Sequence, residues 1–316
     1  MKKFNRYSVI TTLAATLTIA LVFGLSGIAM AATYAVGLGT ADSFAVLAGT
    51  AVTNVPTSVI TGNVGLSPAA GSNYAGLTSA EVTGTIYAVD GSGPGGSVNN
   101  PALLTTAKND LTAAYLDAAG RTPTQTFVAG DNQLGGQTLT AGVYAFGHAT
   151  SANITAASPL TLDAQGNSSA VFIFQASSDL VTASSSVVRL VNGAQDCNVF
   201  WQVTSSVTLG TSSTFIGTVM ALTSITDNGS STINGRLLAR NAQVALNTTT
   251  IRRPTCVAAA APAATATPTA TAAAGLPKTG VESSSQTGGT PWNIIIPAAA
   301  VVGVSALFIA RKKRTI

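Results

Sequence analysis

Apolar and polar positions recur at a constant spacing in the second half of the chain. The run Phe200–Val203 can be aligned with Thr218–Ala221 and then with Arg236–Ala239, and the two steps are equal in length. A second set of segments keeps the same register, and each ends in a small polar cluster and an apolar residue: Thr211–Phe215, Gly229–Ile233 and Asn247–Ile251. Apolar and hydroxyl columns at a fixed period predict stacked coils, each laid on the one before.

Short β-prone runs separated by Gly, Asn, Ser and Pro extend this pattern toward the N-terminus. They are Phe44–Leu47, Thr85–Ala88, Val143–Phe146, Val171–Phe174 and Val199–Gln202. The step from Val171 to Val199 is longer than the later period, and the surplus predicts a loop around Asn192–Gln195.

One segment has helical periodicity instead. Residues 101–119 place six apolar side chains on one face, with Pro101 in the first turn and Gly120 as a stop. These are Leu104, Ala107, Leu111, Ala114, Tyr115 and Ala118. About 19 helical residues are near 28 Å long, so the helix is expected to lie along about six coils.

Alternation within the repeat predicts which side chains face outward. If Phe215, Ile233 and Ile251 point inward, their neighbours Thr214, Thr232 and Thr250 point outward, together with Ser212, Ser230 and Thr248. Such rows are either a binding surface or the ordinary Ser/Thr content of exposed strands. Gln202, Met220 and Leu238 form a further column, which belongs either to the core or to another face.

The N-terminus is typical of an exported protein. Residues 1–31 have a basic start, an apolar stretch and the cleavage site Ala29-Met30-Ala31, which predicts a secretory signal peptide. The alternative is an uncleaved membrane anchor. Residues 32–256 then form the mature domain.

The C-terminus contains a second signal. An Ala/Thr/Pro linker covers 257–275, and the segment 276–316 holds Leu276-Pro277-Lys278-Thr279-Gly280, an apolar span at 292–310 and a basic tail. This order resembles the cell-wall sorting signal of Gram-positive surface proteins, which implies sortase cleavage between Thr279 and Gly280 and attachment to peptidoglycan. The alternative is a single-span anchor in the plasma membrane.

Charge changes the picture once both ends are removed. The whole chain has a net charge of +4, but residues 32–279 hold eight basic and ten acidic side chains, a net charge of −2. No basic patch for nucleic acid remains, and a membrane would be met only through the C-terminal span. The sparse charge favours a neutral, hydroxyl- or water-like partner.

The residues that enzymes and metal sites need are scattered. His148 is the only histidine, the carboxylates occur singly, and no phosphate loop or Ser-His-Asp set is recognisable. We therefore expect no enzymatic activity, no cofactor and no metal site, and a glycan-processing β-helix enzyme is disfavoured. Cys197 and Cys256 are expected to form a disulfide in an exported chain, with two free thiols as the alternative.

Several separate motifs resemble the microbial ice-binding (antifreeze) protein family. They include Ile60–Pro68, Asp117–Pro123, Ala170–Gln175, Asn192–Val203 and Asn234–Asn241, and the resemblance runs from about residue 38 to 256. It implies a right-handed, discontinuous parallel β-solenoid of triangular section, with one long helix packed alongside. It also implies ice binding through a flat β-face.

Some bacterial members of that family carry a T-A/G-x-T/N motif, which is degraded in this chain. Thr211–Thr214 has Ser at the second place, Gly229–Thr232 lacks the first Thr, and Asn247–Thr250 keeps only the last. The ice-binding face predicted from these positions comprises Thr155, Ser158, Ser184, Ser186, Thr211, Ser212, Thr214, Ser230, Thr232, Thr248 and Thr250.

The sequence thus predicts a secreted, surface-anchored, non-enzymatic protein that adsorbs to ice through a Ser/Thr-rich face. The alternative is an adhesin that binds polysaccharide or another surface through the same hydroxyl groups.

Overall fold

The structure is a computed structural model that describes residues 34–128, 132–147, 151–155 and 158–256. Within these residues the protein is mostly β, with one long helix. The strands before the helix are β1 (Phe44–Ala48), β2 (Val52–Val55), β3 (Val59–Thr61), β4 (Asn63–Leu66), β5 (Tyr74–Ala75), β6 (Val82–Thr83), β7 (Ile86–Ala88) and β8 (Val98–Asn99). Helix α1 spans Pro101–Gly120.

The strands after the helix continue the same pattern. They are β9 (Gln125–Phe127), β10 (Thr138–Thr140), β11 (Gly142–Phe146), β12 (Ala152–Ile154), β13 (Leu160–Asp163), β14 (Phe172–Ala176), β15 (Leu180–Thr182), β16 (Val188–Val191), β17 (Val199–Val203), β18 (Val207–Leu209), β19 (Thr214–Ala221), β20 (Ile225–Asp227), β21 (Thr232–Ala239), β22 (Val244–Asn247) and β23 (Thr250–Arg252). Short 3-10 turns occur at Gly39–Ser43, Gly71–Asn73, Ser79–Glu81 and Asp196–Asn198.

The chain visits three layers of parallel strands in turn, and we call one such passage a coil. The helix-covered sheet has the order β8-β7-β4-β1-β21-β19-β17-β14-β11-β9, and the seven-stranded sheet has the order β12-β15-β18-β20-β22-β2-β5. The third strand layer contains β10, β13 and β16, then the first halves of β19 and β21, and finally β23, β3 and β6.

The register confirms the period predicted for the second half of the chain. Phe200 pairs with Thr218 and Thr218 with Arg236, while Thr214 pairs with Thr232 and Thr232 with Thr250. These parallel ladders are consistent with the predicted solenoid.

The preceding step is one residue shorter than predicted, because Phe172, rather than Val171, pairs with Val199. It still exceeds the later period. The surplus lies in the turn that includes Asn192 and Gly193, both at positive φ, and in the 3-10 turn Asp196–Asn198.

The first coil lies between the second coil and the last, so one of its two neighbours is distant in sequence. Strand β1 pairs with β21, β2 with β22 and β3 with β23, and we call these three ladders the seam. The coils before α1 therefore extend the stack of coils that follow it. The order of the coils in the stack therefore differs from their order in the sequence, although the backbone hydrogen bonds continue from each coil to its neighbour.

Helix α1 has the predicted position and the predicted buried face. Pro101 lies in its first turn, and the Asn100 side chain accepts the Leu103 N–H at 3.0 Å. The six predicted apolar side chains are buried against the helix-covered sheet, where Met220 and Leu238 lie beneath the helix. Of the two alternatives for that column, Met220 and Leu238 therefore follow the first and belong to the core.

Polar side chains on both sides of the contact also join the helix to the coils. Gln175 donates through Nε2 to the carbonyls of Ala118 at 2.7 Å and Arg121 at 2.8 Å, which satisfies groups that the helix end leaves open. Lys108 donates to the carbonyls of Ala239 and Arg240. Burial, with a smaller contribution from Arg240, lowers the pKa of Lys108 to about 8.

The helix contact predicts a clear difference between two leucines on α1. Leu111→Ala removes a side chain with no exposed surface, so we expect a loss of about 2–5 kcal/mol in the free energy of unfolding. Leu116→Ala is the control, because Leu116 is 60% exposed and its loss should cost less than about 0.5 kcal/mol. Urea titration of both variants measures the difference, and equal losses would contradict the helix packing described here.

Candidate functional site: the outward hydroxyl rows

The row of Thr214, Thr232 and Thr250 lies on the third strand layer. Each threonine pairs directly with the next, and the adjacent residues Phe215, Ile233 and Ile251 are buried. Thr232 and Thr250 are exposed and Thr214 is partly buried. The structure therefore brings these three residues together in the outward row that the repeat predicted.

Ser212, Ser230 and Thr248 do not lie on these strands. Their φ angles are +58°, +55° and +49°, the left-handed region, and they form the turn between the seven-stranded sheet and the third strand layer. The turns stack through the backbone, since the Ser212 N–H donates to the Gly229 carbonyl at 2.8 Å and the Ser230 N–H to the Asn247 carbonyl at 2.9 Å. The prediction of one continuous extended strand is wrong here because each coil must bend at this point.

Ser186 is also placed differently from the prediction. It is 2% exposed, and the residues at the same place in the next coils, Ser213, Ser231 and Thr249, are buried too. The left-handed residue before each of them turns the following side chain inward. Ser213 and Ser231 are hydrogen-bonded to each other at 3.1 Å. Ser186 therefore cannot belong to an exposed face.

The remaining predicted residues gather at the same turn. All of them are exposed, and they follow strands of the seven-stranded sheet: Thr155, Ser158, Ser184 and Thr211. The predicted face is thus divided between this turn and the threonine row on the third strand layer.

The third strand layer also carries charge beside its threonine row. Ile216, Asn234 and Arg252 pair in the next row; Ile216 is buried, Asn234 is partly buried and Arg252 is exposed. Arg189 is exposed on β16, in the same layer. The threonine column itself is uncharged, as predicted, but its surroundings are not.

The seven-stranded sheet presents a longer outward row that the sequence reasoning missed. Its members pair in one register, and all but Ala75 lie between two buried neighbours: Asn153, Val181, Thr208, Thr226, Ala245, Thr53 and Ala75. None of these seven described positions carries a charge. Strands about 4.8 Å apart give the row a length of about 29 Å.

The repeat contained a signal for this row. Val207-Thr208-Leu209 has the apolar–Thr–apolar alternation of a half-buried strand, and Ile225-Thr226 repeats its first two positions one period later. The denser Ser/Thr clusters that follow each of these strands lie at the turn.

Asp227 interrupts the buried side of the same sheet. It pairs with Leu209 and is 2% exposed, and its Oδ2 accepts the Thr249 hydroxyl at 2.5 Å. Burial raises the pKa of Asp227, although hydrogen bonds from Ser231 and Thr249 oppose the rise. An ionisable group thus lies directly beneath the outward row.

Cys197 and Cys256 are joined by a disulfide in the structure, with their Cα atoms 5.5 Å apart. The bond closes a loop that contains β18, β20 and β22 of the seven-stranded sheet. Nearby, Arg236 and Arg253 form ion pairs with Asp42 at 2.6 Å and 3.3 Å, which tie the start of the domain to its last strands.

Several predictions fall outside the described residues. They concern the signal peptide, His148, the linker, the apolar span 292–310 and the pair Thr279 and Gly280. Within the described ranges, no helix is long and apolar enough to cross a membrane. The same ranges contain no cluster of three or more His, Cys, Asp or Glu that could hold a metal ion.

Comparison with known proteins assigns the chain to the class of ice-binding proteins, and solved structures of that class match this mostly β fold. A crystal structure of an ice-binding protein from an Antarctic biological consortium matches with a TM-score of 0.62 and 37% identity, over 70% of this chain and 92% of that one. An ice-binding protein from Arctic yeast, whose structure was presented as the basis of its antifreeze activity, matches with a TM-score of 0.61 and 34% identity, over 69% and 93%.

Sequence relatives agree with these structures. An ice-binding protein of Colwellia sp is 42% identical over 223 residues, which cover 70% of this chain and 85% of the relative. One of Flavobacterium frigoris (strain PS1) is 40% identical over 217 residues, which cover 68% and 76%. Residues 46–252 match the family described as Ice-binding-like, and the chain belongs to that family. The relatives are named as ice-binding proteins and not as enzymes.

The buried carboxyl group of Asp227 predicts that the stability difference between the wild type and an Asp227→Asn variant depends on pH. Because its pKa is higher in the folded state than in the unfolded state, stability is lost as the pH rises through the folded value. Asp227→Asn keeps an oxygen acceptor for Thr249 and cannot ionise. We expect its melting temperature to exceed that of the wild type by about 2–4 °C near pH 7, the shift that ~1 kcal/mol gives in a domain of this size.

The gain should vanish near pH 3, where Asp227 is protonated in both states. Asp179→Asn is the matched control, because the pKa of Asp179 is shifted in the opposite direction. Burial alone would raise the pKa of Asp179, but hydrogen bonds from Ser206 and its neighbours lower it overall. This variant should therefore melt lower than the wild type near pH 7. Calorimetry across pH tests both, and a destabilised Asp227→Asn protein at neutral pH would contradict the assignment.

Proposed function

We propose that this protein binds ice, and that it adsorbs through the outward row of the seven-stranded sheet and the adjoining turn. The observation that carries the proposal is the row of seven uncharged, mostly small side chains in one backbone register. The similarity to named ice-binding proteins supports the same activity. A right-handed solenoid of triangular section would present the row as one plane.

The chemistry of the row suits an ordered water lattice. Adjacent strands place successive members of the row about 4.8 Å apart, a distance close to an oxygen repeat in ice. Thr208, Thr226 and Thr53 are stiff at χ1, so little side-chain entropy is lost on contact. Each position contributes weakly, and affinity must come from many positions that engage together on a rigid support.

The third strand layer is the less suitable of the two surfaces. Arg252 and Arg189 would keep strongly held water next to the threonine row, and adsorption would have to remove or reorder it. Thr232 and Thr250 therefore flank the proposed adsorbing surface instead of forming its centre. The exposed turn residues Thr211, Ser212 and Ser230 lie between the two surfaces and extend the proposed contact.

The two surfaces can be separated by matched substitutions. Thr226→Tyr places a ring in the middle of the seven-stranded row and holds its neighbours away from a flat lattice. We expect the affinity for ice to fall about tenfold, the effect of losing ~1.4 kcal/mol. Thr232→Tyr makes the same change on the third strand layer and should leave most of the affinity.

The measurements are thermal hysteresis and partitioning into a growing ice hemisphere, with circular dichroism to confirm the fold. A reversed order of the two variants would move the adsorbing surface to the threonine row. An inert wild-type domain would end the ice-binding proposal. Binding of that domain to a glycan array would then favour the polysaccharide adhesin.

We also propose that the mature protein is displayed on the cell surface. The support is the order of the signal at 1–31, the linker at 257–275 and the sorting signal at 276–316. In this proposal the Thr279 carbonyl is transferred from Gly280 to a peptidoglycan amine. A domain held in this way would attach the cell to ice or shape ice at the wall.

Sortase chemistry gives a direct test of the anchoring. Residues 32–316, with a sortase A and a triglycine amine, should yield a product that ends at Thr279 linked to glycine. Mass spectrometry identifies that product. Thr279→Ala should abolish it, while Thr255→Ala, outside the motif, should not. An unprocessed wild-type chain would favour the single-span membrane anchor.

A further inference from the structure

The proposed adsorbing row crosses the seam. Five of its residues follow α1 in the chain, whereas Thr53 and Ala75 precede it. Ala245 on β22 pairs with Thr53 on β2, and Thr53 pairs with Ala75. The row is therefore complete only when the first coil is held against the last. These two coils are far apart in the sequence, and no backbone connection joins them directly.

A chain of polar groups runs beneath this junction. The Thr249 hydroxyl donates to Asp227 at 2.5 Å, the Thr249 N–H donates to Ser58 Oγ at 2.9 Å, and the Ser58 hydroxyl donates to Asn54 Oδ1 at 2.6 Å. All four side chains are at least nine-tenths buried. They connect the last two coils to the first coil within the protein interior.

The chain ends in a carboxylate on the neighbouring coil. Glu81 accepts Asn54 Nδ2 at 2.9 Å and the Ser58 N–H at 2.8 Å. Its other oxygen accepts the Thr78 N–H, which completes a capping box. The path from Asp227 to Glu81 thus crosses four consecutive coils, with the seam in the middle.

We propose that Asp227, Thr249, Ser58, Asn54 and Glu81 are positioning residues that lock the register of the seam and so align the two parts of the adsorbing row. This rests on the proposed ice-binding function. A slip of two residues along the seam would keep the same side chains facing inward, whereas these directional bonds are satisfied in one register only. A buried donor left without its partner opposes any other register.

The column of buried hydroxyls supplies a comparison away from the seam. Ser213 and Ser231 occupy the same place in two earlier coils and bond to each other, and Ser231 also bonds to the Gly210 carbonyl and to Asp227. Those coils are consecutive in the chain, so the short connection between them already limits their register. The polar chain to Asn54 and Glu81 occurs where the paired strands come from opposite ends of the domain sequence, as for Val52 and Val244.

The test uses Ser58→Ala in the whole domain. Alanine removes the hydroxyl oxygen that accepts the Thr249 N–H across the seam, and it removes the donor to Asn54. We expect hydrogen exchange to rise about tenfold, the effect of losing ~1.4 kcal/mol of opening free energy, at the seam amides of Val244, Thr248 and Val59. The amide of Val207, away from the seam, should change little. Ice affinity should fall with the opening of the seam.

Two variants keep the outcome interpretable. Ser58→Thr retains the hydroxyl and should restore both seam protection and ice affinity. Ser213→Ala removes an equally buried serine hydroxyl away from the seam and should leave the seam amides protected. Equal exchange in Ser58→Ala and Ser213→Ala would overturn the register lock. An open seam with wild-type ice affinity would show that the two halves need not align.

The same experiment separates this inference from the proposed function. Exchange is measured without ice, so the lock can be confirmed or rejected even if the wild-type domain proves inert toward ice. An inert wild type would remove the proposed function and the alignment role together, while the exchange data would still report whether the polar chain fixes the seam.

Discussion

The structure depends on the parallel backbone ladder that joins each coil to the next. In such a ladder every N–H and C=O of one coil faces a partner in its neighbour, and the register chosen at one pair fixes all the others. Thr214, Thr232 and Thr250 stand in line for this reason, and so do the members of the row on the seven-stranded sheet. Regular outward rows follow from regular hydrogen bonding inside, without contacts between the outward side chains themselves.

The interior uses the same register for packing. Tyr144, Phe174 and Trp201 pair in successive coils, with ring centroids 5.4 Å and 3.9 Å apart. Toward the seam the same column continues with the smaller residues Val219 and Leu237. Large rings thus fill the coils that have the longest turns, and aliphatic side chains fill the shorter coils of the regular repeat.

Much of the fold could be predicted because it follows from periodic patterns within short stretches of the sequence. The repeat around Trp201 has a fixed length, and helix α1 has one apolar face, so both could be recognised within a short window of residues. The seam could not be recognised in this way, since Val52 and Val244 meet through no shared period. The prediction of an exposed Ser186 failed for a different reason: alternation holds only along an extended strand, and the left-handed turn before it reverses the direction of the side chain.

The disulfide has a mechanical consequence. Tension applied to the chain beyond Cys256 passes at once to Cys197 at the start of β17, in the middle of the stack. The strands between these cysteines cannot be peeled away one after another from the C-terminal end, because both ends of their loop bear the load together. A pull on the tail therefore loads the chain next to β17 and not the last coil, whose strand β23 is held between β21 and β3.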